Sequence, residues 1–187
     1  GDEVYRGKHE GPNGEFTVAN TGGTPLYVSL TTRGVPAQPQ TAAVAEGMEA
    51  TRRILTNRGA PFTGAAFDHA DSYVVDVAVT CSGNLQNVIV ADLLPAGFEI
   101  ENPRLDADAL SGEEFQNAVT PTYLEIRDDR LVLAFDALGA GVHHFYYVVR
   151  AVTPGTFQYP PLVAECMYDA SFHASSVPAS IEVKPRP

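Results

Sequence analysis

The sequence predicts an all-β protein: an antiparallel β-sandwich with one short helical insertion and an N-terminal β-hairpin. Three observations support this prediction. Apolar and polar residues alternate with a period of two through several short segments, which is typical of half-buried strands. Glycine and proline turns separate these segments at intervals of about 8–12 residues, the spacing found in sandwiches. One segment, residues 106–119, breaks the alternation.

The first forty residues predict a separate piece of β structure. Glu15–Asn20 and Pro25–Thr31 are two strand-like runs joined by a Gly-Gly turn. Because a single hairpin is marginally stable in water, we expect this segment either to dock onto the sandwich or to be poorly ordered. A linker rich in Pro, Gln and Ala follows at residues 35–45. We therefore predict a partial β segment with its linker at residues 1–44 and a sandwich domain at residues 45–187.

The sandwich region contains the strongest strand signals. Between Tyr73 and Cys81, one face carries Tyr73, Val75, Val77 and Val79, and the other carries Asp76 and Thr80. A longer strand is predicted from Gly141 to Thr153, where a Pro-Gly turn ends it. Further strands are predicted at residues 86–93, 98–101, 123–126, 131–136, 157–159, 162–168 and 179–183.

The interrupting segment, Asp106–Val119, is predicted to be a short helix. Ser111 is a suitable N-cap, and Glu114 follows three residues later, which is the spacing of a capping box. Because Gly112 lies within the segment, we expect only one to three turns. The acidic residues here lack the ligand spacing of a calcium loop, and we interpret them as an acidic helix start: Asp106, Asp108, Glu113 and Glu114.

The composition limits the class of partner. The chain has 23 acidic and 12 basic residues and a formal net charge of -11. This acidic excess repels phosphate backbones and anionic lipid headgroups, so neither nucleic acid nor direct membrane insertion is expected. A hydrophobic content of 44% is sufficient for a packed core.

Cys81 and Cys166 are the two cysteines of the chain. Each shares its strand parity with apolar residues, so both are predicted to face the core. Cysteines on separate strands can form a disulfide if their Cα atoms lie within about 7 Å. An exported compartment would favour such a bond. Two inert buried thiols are the alternative, and the sequence leaves both open.

Two phrases in the second half of the chain form a specific combination. The first is Val90–Glu99, with the sequence VADLLPAGFE, and Asn102–Leu105 follows it. The second begins with YVVRAVTPGTF at Tyr147–Phe157 and continues to AECMYD at Ala164–Asp169. Their order, about fifty residues apart, resembles the C-terminal macroglobulin-type (receptor-binding-like) domain of bacterial alpha-2-macroglobulins over roughly residues 45–184.

The resemblance implies a fibronectin- or immunoglobulin-like sandwich with a helical insertion, in agreement with the alternation pattern. It also implies that residues 1–44 include the tail of a CUB-type domain. The implied function is that of a non-catalytic module in a broad-spectrum protease inhibitor of the cell envelope, periplasmic or extracellular, without a cofactor. The implied partners are the thioester domain and other macroglobulin domains of the parent chain, and target proteases reached through that parent.

The resemblance further implies a contact site at Met167, Tyr168 and Asp169. In the family this Met-Tyr pair is implicated in shielding the thioester of a neighbouring domain until the bait region is cleaved. A thioether and an aromatic ring suit that role because both exclude water. An alternative is that Tyr168, which shares its parity with Cys166, is a core residue. The family's thioester motif, Cys-x-Glu-Gln, does not occur in this sequence.

Other clusters of reactive residues favour a structural interpretation. Asp68, His69 and Asp71 lie in a polar loop without a neighbouring nucleophile or an open metal position, so we interpret them as turn residues. His143 and His144 are neighbours on a strand and point to opposite faces, which prevents them from sharing one metal. We therefore predict no catalytic residue and no metal site, and the protein is not expected to be an enzyme.

A competing interpretation is an adhesive or carbohydrate-binding sandwich of a cell-surface protein. Aromatic side chains such as Tyr146 or Tyr159 would hold the ligand if they are exposed. The same tyrosines could equally pack on a sheet face, which would remove them from any ligand.

Overall fold

The computed structural model describes residue 7 and residues 17–31, 42–101, 110, 112 and 115–186. The chain divides into two compact units, residues 1–37 and residues 38–187.

The described part of the first unit, residues 17–31, contains no strand, and all of its side chains are exposed. The hairpin predicted from Glu15–Asn20 and Pro25–Thr31 is therefore not formed over these residues. Instead, the Asn20 side chain closes a local turn, accepting from Gly22 N–H at 3.0 Å and donating to the Thr24 carbonyl at 2.9 Å. The physical reason is that an isolated hairpin has no second layer on which to bury its apolar face.

The second unit is all-β, as the alternation predicted. Its described residues form thirteen strands: β1 Val44–Glu46, β2 Met48–Thr56, β3 Phe67–Asp68, β4 Ser72–Cys81, β5 Leu85–Leu93, β6 Phe98–Ile100, β7 Tyr123–Arg127, β8 Arg130–Leu138, β9 Gly141–Ala151, β10 Gly155–Tyr159, β11 Val163–Cys166, β12 Asp169–Ser175 and β13 Ala179–Lys184.

The strands form two large sheets and a smaller one. We call the six-stranded sheet, in the order β1-β12-β11-β5-β8-β7, the first sheet. The second sheet has the order β2-β4-β9-β6, and the third has the order β10-β13-β3. Every pairing between two of these strands is antiparallel except β13 with β3, which is parallel. An isolated bridge between Ala118 and His144 is also parallel. Among the described residues, no helix has the length and hydropathy needed to cross a bilayer.

One hydrophobic core joins the first and second sheets. From β4 it takes the apolar residues whose parity the sequence predicted to face inward, and from β5 and β8 it takes the alternate residues that point toward β4. Those residues are Tyr73, Val75, Val77, Val79, Cys81, Val88, Val90, Leu131, Leu133 and Phe135. The predicted sandwich is confirmed.

A second, smaller cluster covers the outer face of the second sheet. Val74 and Val148 pack there with Leu55 beneath the ring of Phe115. Half of the predicted helix at Asp106–Val119, including its first four residues, lies outside the described residues. In its described part, turn-type hydrogen bonds run from Phe115 N–H to the Gly112 carbonyl and from Ala118 N–H to the Phe115 carbonyl, at 3.1 and 3.3 Å.

Two long strands have no clear sequence signal. β2 carries an arginine, Arg52, at a core-facing position, and this interrupts its apolar alternation. β12 has a largely polar and exposed sequence, and its place between β1 and β11 comes from backbone pairing. Neither feature can be recognised without the neighbouring strands.

Candidate functional site

The turn between β11 and β12 presents the predicted contact residues. Met167 and Tyr168 form a two-residue loop, and Cys166 pairs with Asp169 across its base. Neither loop residue has a positive φ, so the loop is not the type I′ turn that commonly closes short hairpins. A register shift after Glu165 accommodates it instead. We call Cys166–Asp169 the contact turn.

Met167 and Tyr168 project into solvent. Their exposed fractions are 53% and 81%, so neither side chain is part of the core. The strand alternation that would have directed Tyr168 inward beside Cys166 ends at the turn. The alternative that Tyr168 is a core residue is therefore wrong.

Neighbouring residues hold the contact turn in place. Met167 N–H donates to the Asn87 carbonyl at 2.9 Å. Asn87 has a φ of 53°, in the left-handed region, and the register of β5 with β8 continues unshifted from Gln86–Ala137 to Val88–Phe135 on either side of it. On the other side, Asp169 accepts from Ser171 N–H at 3.0 Å. The tip is therefore a defined feature of the fold.

A shallow cavity of about 500 Å³ opens beside the contact turn. Its walls come from β1, β11 and β12, and it contains both apolar and polar groups: Val44, Val163, Glu165, Cys166, Met167, Ala170, His173, Ala174 and Ser175. The exposed carboxylates of Glu165 and Asp169 make its surroundings acidic. A surface with this mixture of groups can accept a protein partner. As for metals, the described residues contain no group of three or more potential ligands.

Behind this surface, a buried ion pair crosses the core between the two large sheets. The Asp92 carboxylate, on β5, is 1% exposed and binds the guanidinium of Arg52 on β2. Tyr147 on β9 donates its hydroxyl to the same carboxylate at 2.7 Å. Arg52 also donates to the Pro160 carbonyl at 2.9 Å and lies 3.3 Å above the ring of Tyr159.

The burial of this cluster changes the acidity of its members. Burial raises the pKa of the Asp92 carboxyl, while Arg52 and the Tyr147 hydroxyl oppose that rise. Burial also raises the pKa of Tyr147 and Tyr159 well above 10.0, and the negative charge of Asp92 adds to both shifts. The tyrosines are therefore held neutral in the folded protein. The cluster ties the two sheets together and offers no open position for a substrate.

The two phrases of the family resemblance contact each other through this cluster. Asp92 of the first phrase binds Tyr147 of the second. Gly97 of the first phrase lies against Phe157 of the second, where an added Cβ would come within 2.5 Å of the ring. The Gly97 carbonyl also accepts from Val152 N–H at 2.8 Å. Sequence reasoning missed Arg52, because the segment around it also carries Glu49 and Arg53 and gives no clear strand signal.

Both cysteines are buried and are free thiols in the structure, and both face the core as predicted. Burial raises the pKa of the Cys81 thiol, and the nearby Cys166 adds to that shift. Burial also raises the pKa of Cys166, with a contribution from Asp169. A high thiol pKa makes a cysteine a poor nucleophile at neutral pH.

The remaining histidine and aspartate candidates have structural partners. His69 Nε2 lies 3.1 Å from the Val152 carbonyl, and Asp71 forms an ion pair with Arg186. These contacts attach the loop before β4 to other parts of the unit. His143 and His144 do point to different partners: His143 to the Gly139 carbonyl, at 2.8 Å, and His144 to buried Asp76, also at 2.8 Å.

The two tyrosines of the adhesive interpretation both pack against other side chains, and Tyr146 is half-buried. Tyr159 is buried in the core beneath Arg52. Tyr146 packs edge-on against Phe115, with ring centroids 5.0 Å apart, and stacks on His144. Both tyrosines therefore serve packing.

Comparison with known proteins gives a consistent family. The profile described as the bacterial alpha-2-macroglobulin MG10 domain matches residues 47–170. The alpha-2-macroglobulin of Xylella fastidiosa strain 9a5c is 34% identical over 175 residues, which cover 87% of this chain and 10% of that protein. The alpha-2-macroglobulin of Escherichia coli K12 is 32% identical over 168 residues, or 84% of this chain and 10% of that protein.

Solved structures agree with the sequence comparisons. Trypsin-activated alpha-2-macroglobulin from Escherichia coli matches with a TM-score of 0.71 and 30% identity, over 79% of this chain and 11% of that one. Salmonella alpha-2-macroglobulin reacted with methylamine matches with a TM-score of 0.69 and 30% identity, over 79% of this chain and 10% of that one. The chain thus spans about a tenth of the length of the relatives it matches.

Proposed function

The chain belongs to the bacterial alpha-2-macroglobulin family, within which it contains the MG10 macroglobulin domain, and we propose that it is a non-catalytic docking module of a broad-spectrum protease inhibitor. In this proposal it packs on the thioester domain of the parent polypeptide and shields the thioester until a protease cleaves the bait region. Other macroglobulin domains are its further partners, and target proteases are reached through the parent.

The exposed pair at the contact turn is the observation that carries this proposal. Met167 and Tyr168 place a thioether and an aromatic ring at the tip of a hairpin that the hydrogen bond from Met167 N–H to the Asn87 carbonyl holds in position. A thioester persists only where water and amines are excluded, and two large apolar side chains can provide a dry cover. Asp169 contributes by fixing the turn through its hydrogen bond to Ser171.

The proposal is tested in the full-length parent by its reaction with methylamine before any protease is added. We expect Tyr168→Gly to accelerate thiol release about ten-fold, which corresponds to a barrier lowered by about 1.4 kcal/mol. Tyr168→Phe keeps the aromatic cover and should react like the unmodified protein. Val177→Ala removes apolar surface from an exposed side chain outside the contact turn and serves as the control.

Two outcomes would contradict the shielding role. If Tyr168→Gly and Met167→Ala both react with methylamine at the unmodified rate, the contact turn does not cover the thioester. If methylamine releases no thiol from the unmodified parent, the parent has no reactive thioester and the shielding proposal fails altogether.

We further propose that residues 1–44 complete a CUB-type domain begun elsewhere in the parent, and that the protein works in the periplasm or outside the cell. The exposed, strand-free state of residues 17–31 is consistent with a segment that lacks its partner strands. Protease accessibility of this segment in the full-length parent, together with cell fractionation, tests both statements. Rapid cleavage there, or a cytosolic parent, would contradict them.

A disulfide between Cys81 and Cys166 is also proposed for the exported protein. Both cysteines are buried and lie near enough for Cys166 to influence the pKa of Cys81. Non-reducing peptide mass spectrometry of parent purified from its own compartment distinguishes the linked peptides from two free thiols.

A further inference from the structure

The first sheet carries a second unusual surface, on the face that points away from the core. Along most of β5 and β8 every second residue is buried in the core, so the residues between the buried ones face outward. Six of the outward positions on β5, β8 and β11 are aliphatic and partly exposed, and we call them the aliphatic face: Ile89, Ala91, Leu93, Val132, Ala134 and Val163. The outward positions that border them carry Arg130, Asp136 and Glu165.

The strand register places these side chains together. Val163 pairs with Ala91, and Ala91 pairs with Val132, so the three form one row across three strands. In the adjacent row Ile89 pairs with Ala134. Residues directly opposite on neighbouring strands have Cβ atoms about 5 Å apart, so the two rows make one continuous patch.

Charged and aromatic groups surround the patch. Glu165 pairs with Ile89 at one end of its row, and Tyr123, which is 57% exposed, pairs with Ala134 at the other. Glu125 pairs with Val132. An apolar centre inside a polar and aromatic rim is the usual anatomy of a protein interface.

An antiparallel sheet whose second face meets water normally carries polar residues there. The second sheet shows how this chain treats an apolar outer face, because Phe115 covers Val74 and Val148 on it. The aliphatic face has no equivalent among the described residues, since its six members belong to neither hydrophobic cluster. Its composition therefore fits a face that is covered in the complete protein.

We propose that the aliphatic face docks against another folded domain of the same parent polypeptide. The relatives are about ten times longer than this chain, so most of the polypeptide available to cover the face lies outside it. A neighbouring domain is also present at a high effective concentration, which allows an intramolecular contact of modest size to persist. This surface adjoins the cavity beside the contact turn, with which it shares Val163, but the inference does not depend on the shielding role proposed for that turn.

Substitution in the full-length parent tests the proposal. Ala91→Glu and Ala134→Glu each place a charge in the centre of the patch. Ala137→Glu makes the same change at an exposed position of β8 outside it and is the matched control. If a domain covers the face, limited proteolysis at the junctions flanking this domain should become about ten-fold faster in both face variants and remain unchanged in the control. Equal rates in face and control variants would overturn the proposal.

A measurement on the unmodified parent removes any dependence on the folding of the variants. Hydroxyl-radical footprinting should modify Ile89, Leu93 and Tyr123 several-fold more slowly than Val177, which is 49% exposed, after correction for intrinsic reactivity. Modification of these residues at the rate expected for exposed side chains would overturn the proposal. Protection that weakens on dilution would also overturn it, because a second copy would then be the occupant.

Discussion

The buried ion pair gives the sharpest prediction for the folded chain. Arg52→Ala removes the guanidinium that binds the Asp92 carboxylate, and with it the donor to the Pro160 carbonyl and the cation above Tyr159. The side chains of Arg52 and Asp92 are 6% and 1% exposed, so water cannot take the place of the lost partner without opening the core. Among the described residues, the Tyr147 hydroxyl is the remaining hydrogen-bond donor to this carboxylate.

Removing one partner of a buried ion pair costs about 3–5 kcal/mol, because the other charge is left uncompensated. For a domain of this size a loss of that order lowers the melting temperature by about 6–20 °C. The chain contains no tryptophan, so urea or thermal unfolding is best followed by far-ultraviolet circular dichroism. Arg127→Ala, which breaks an exposed ion pair with Glu125, should cost about 0–1 kcal/mol and is the control.

The double variant Arg52→Met with Asp92→Asn separates the two contributions to the loss. It removes both charges while keeping an acceptor for the Tyr147 hydroxyl, so we expect it to recover at least about half of the lost stability. A cost below about 1 kcal/mol for Arg52→Ala would refute the reasoning. So would a double variant that is no more stable than Arg52→Ala, because the loss would then come from packing alone.

Three further predictions concern local geometry and pH. Gly97→Ala forces the new Cβ against an aromatic ring and should destabilise the chain by about 1–3 kcal/mol, whereas Gly83→Ala, which meets no atom within 4 Å, should have little effect on the same unfolding curve. Ala70 has a φ of 70°, so Ala70→Gly should relieve strain and raise the free energy of unfolding by about 0.5–1 kcal/mol; a loss of stability would contradict this. Because the pKa values of Tyr147 and Tyr159 lie above 10.0 in the folded state, the unfolded state loses these protons first. The ionisation of these two tyrosines should therefore leave the free energy of unfolding unchanged below pH 10. Above pH 10 the free energy of unfolding should fall as the pH rises. Ultraviolet titration should show that these two tyrosines ionise only as the protein unfolds, and early ionisation of every tyrosine would contradict the burial argument.

The family and the sandwich were both accessible from the sequence, for different reasons. Alternation in β4 and β9 survives because one face of each strand meets the core, so the residues of that face must be apolar. The phrase around Asp92 and Gly97 is recognisable because both residues meet strict requirements, an ion pair in the core and close packing of Phe157. Such requirements restrict a position in the chain to one residue type, and that residue can be recognised in the sequence.

The missed strands show where local pattern fails. β2 carries Arg52 toward the core, and only the presence of Asp92 on another sheet makes that arginine compatible with burial. β12 lies between two strands and is held by backbone hydrogen bonds, which do not depend on side-chain type. The N-terminal runs show the reverse error, since strand-like sequence in residues 17–31 forms no strand without a partner.

The sequence by itself determined which residues alternate, which turns separate them and which phrases identify the family, because these follow from steric and hydrophobic rules between near neighbours in the chain. Tertiary structure alone decided that Tyr168 points to solvent, that Arg52 meets Asp92 and that an aliphatic face remains on the first sheet. Each of these depends on strands far apart in sequence, and the exposure or pairing of a side chain is fixed only when those strands take their places in the sheets.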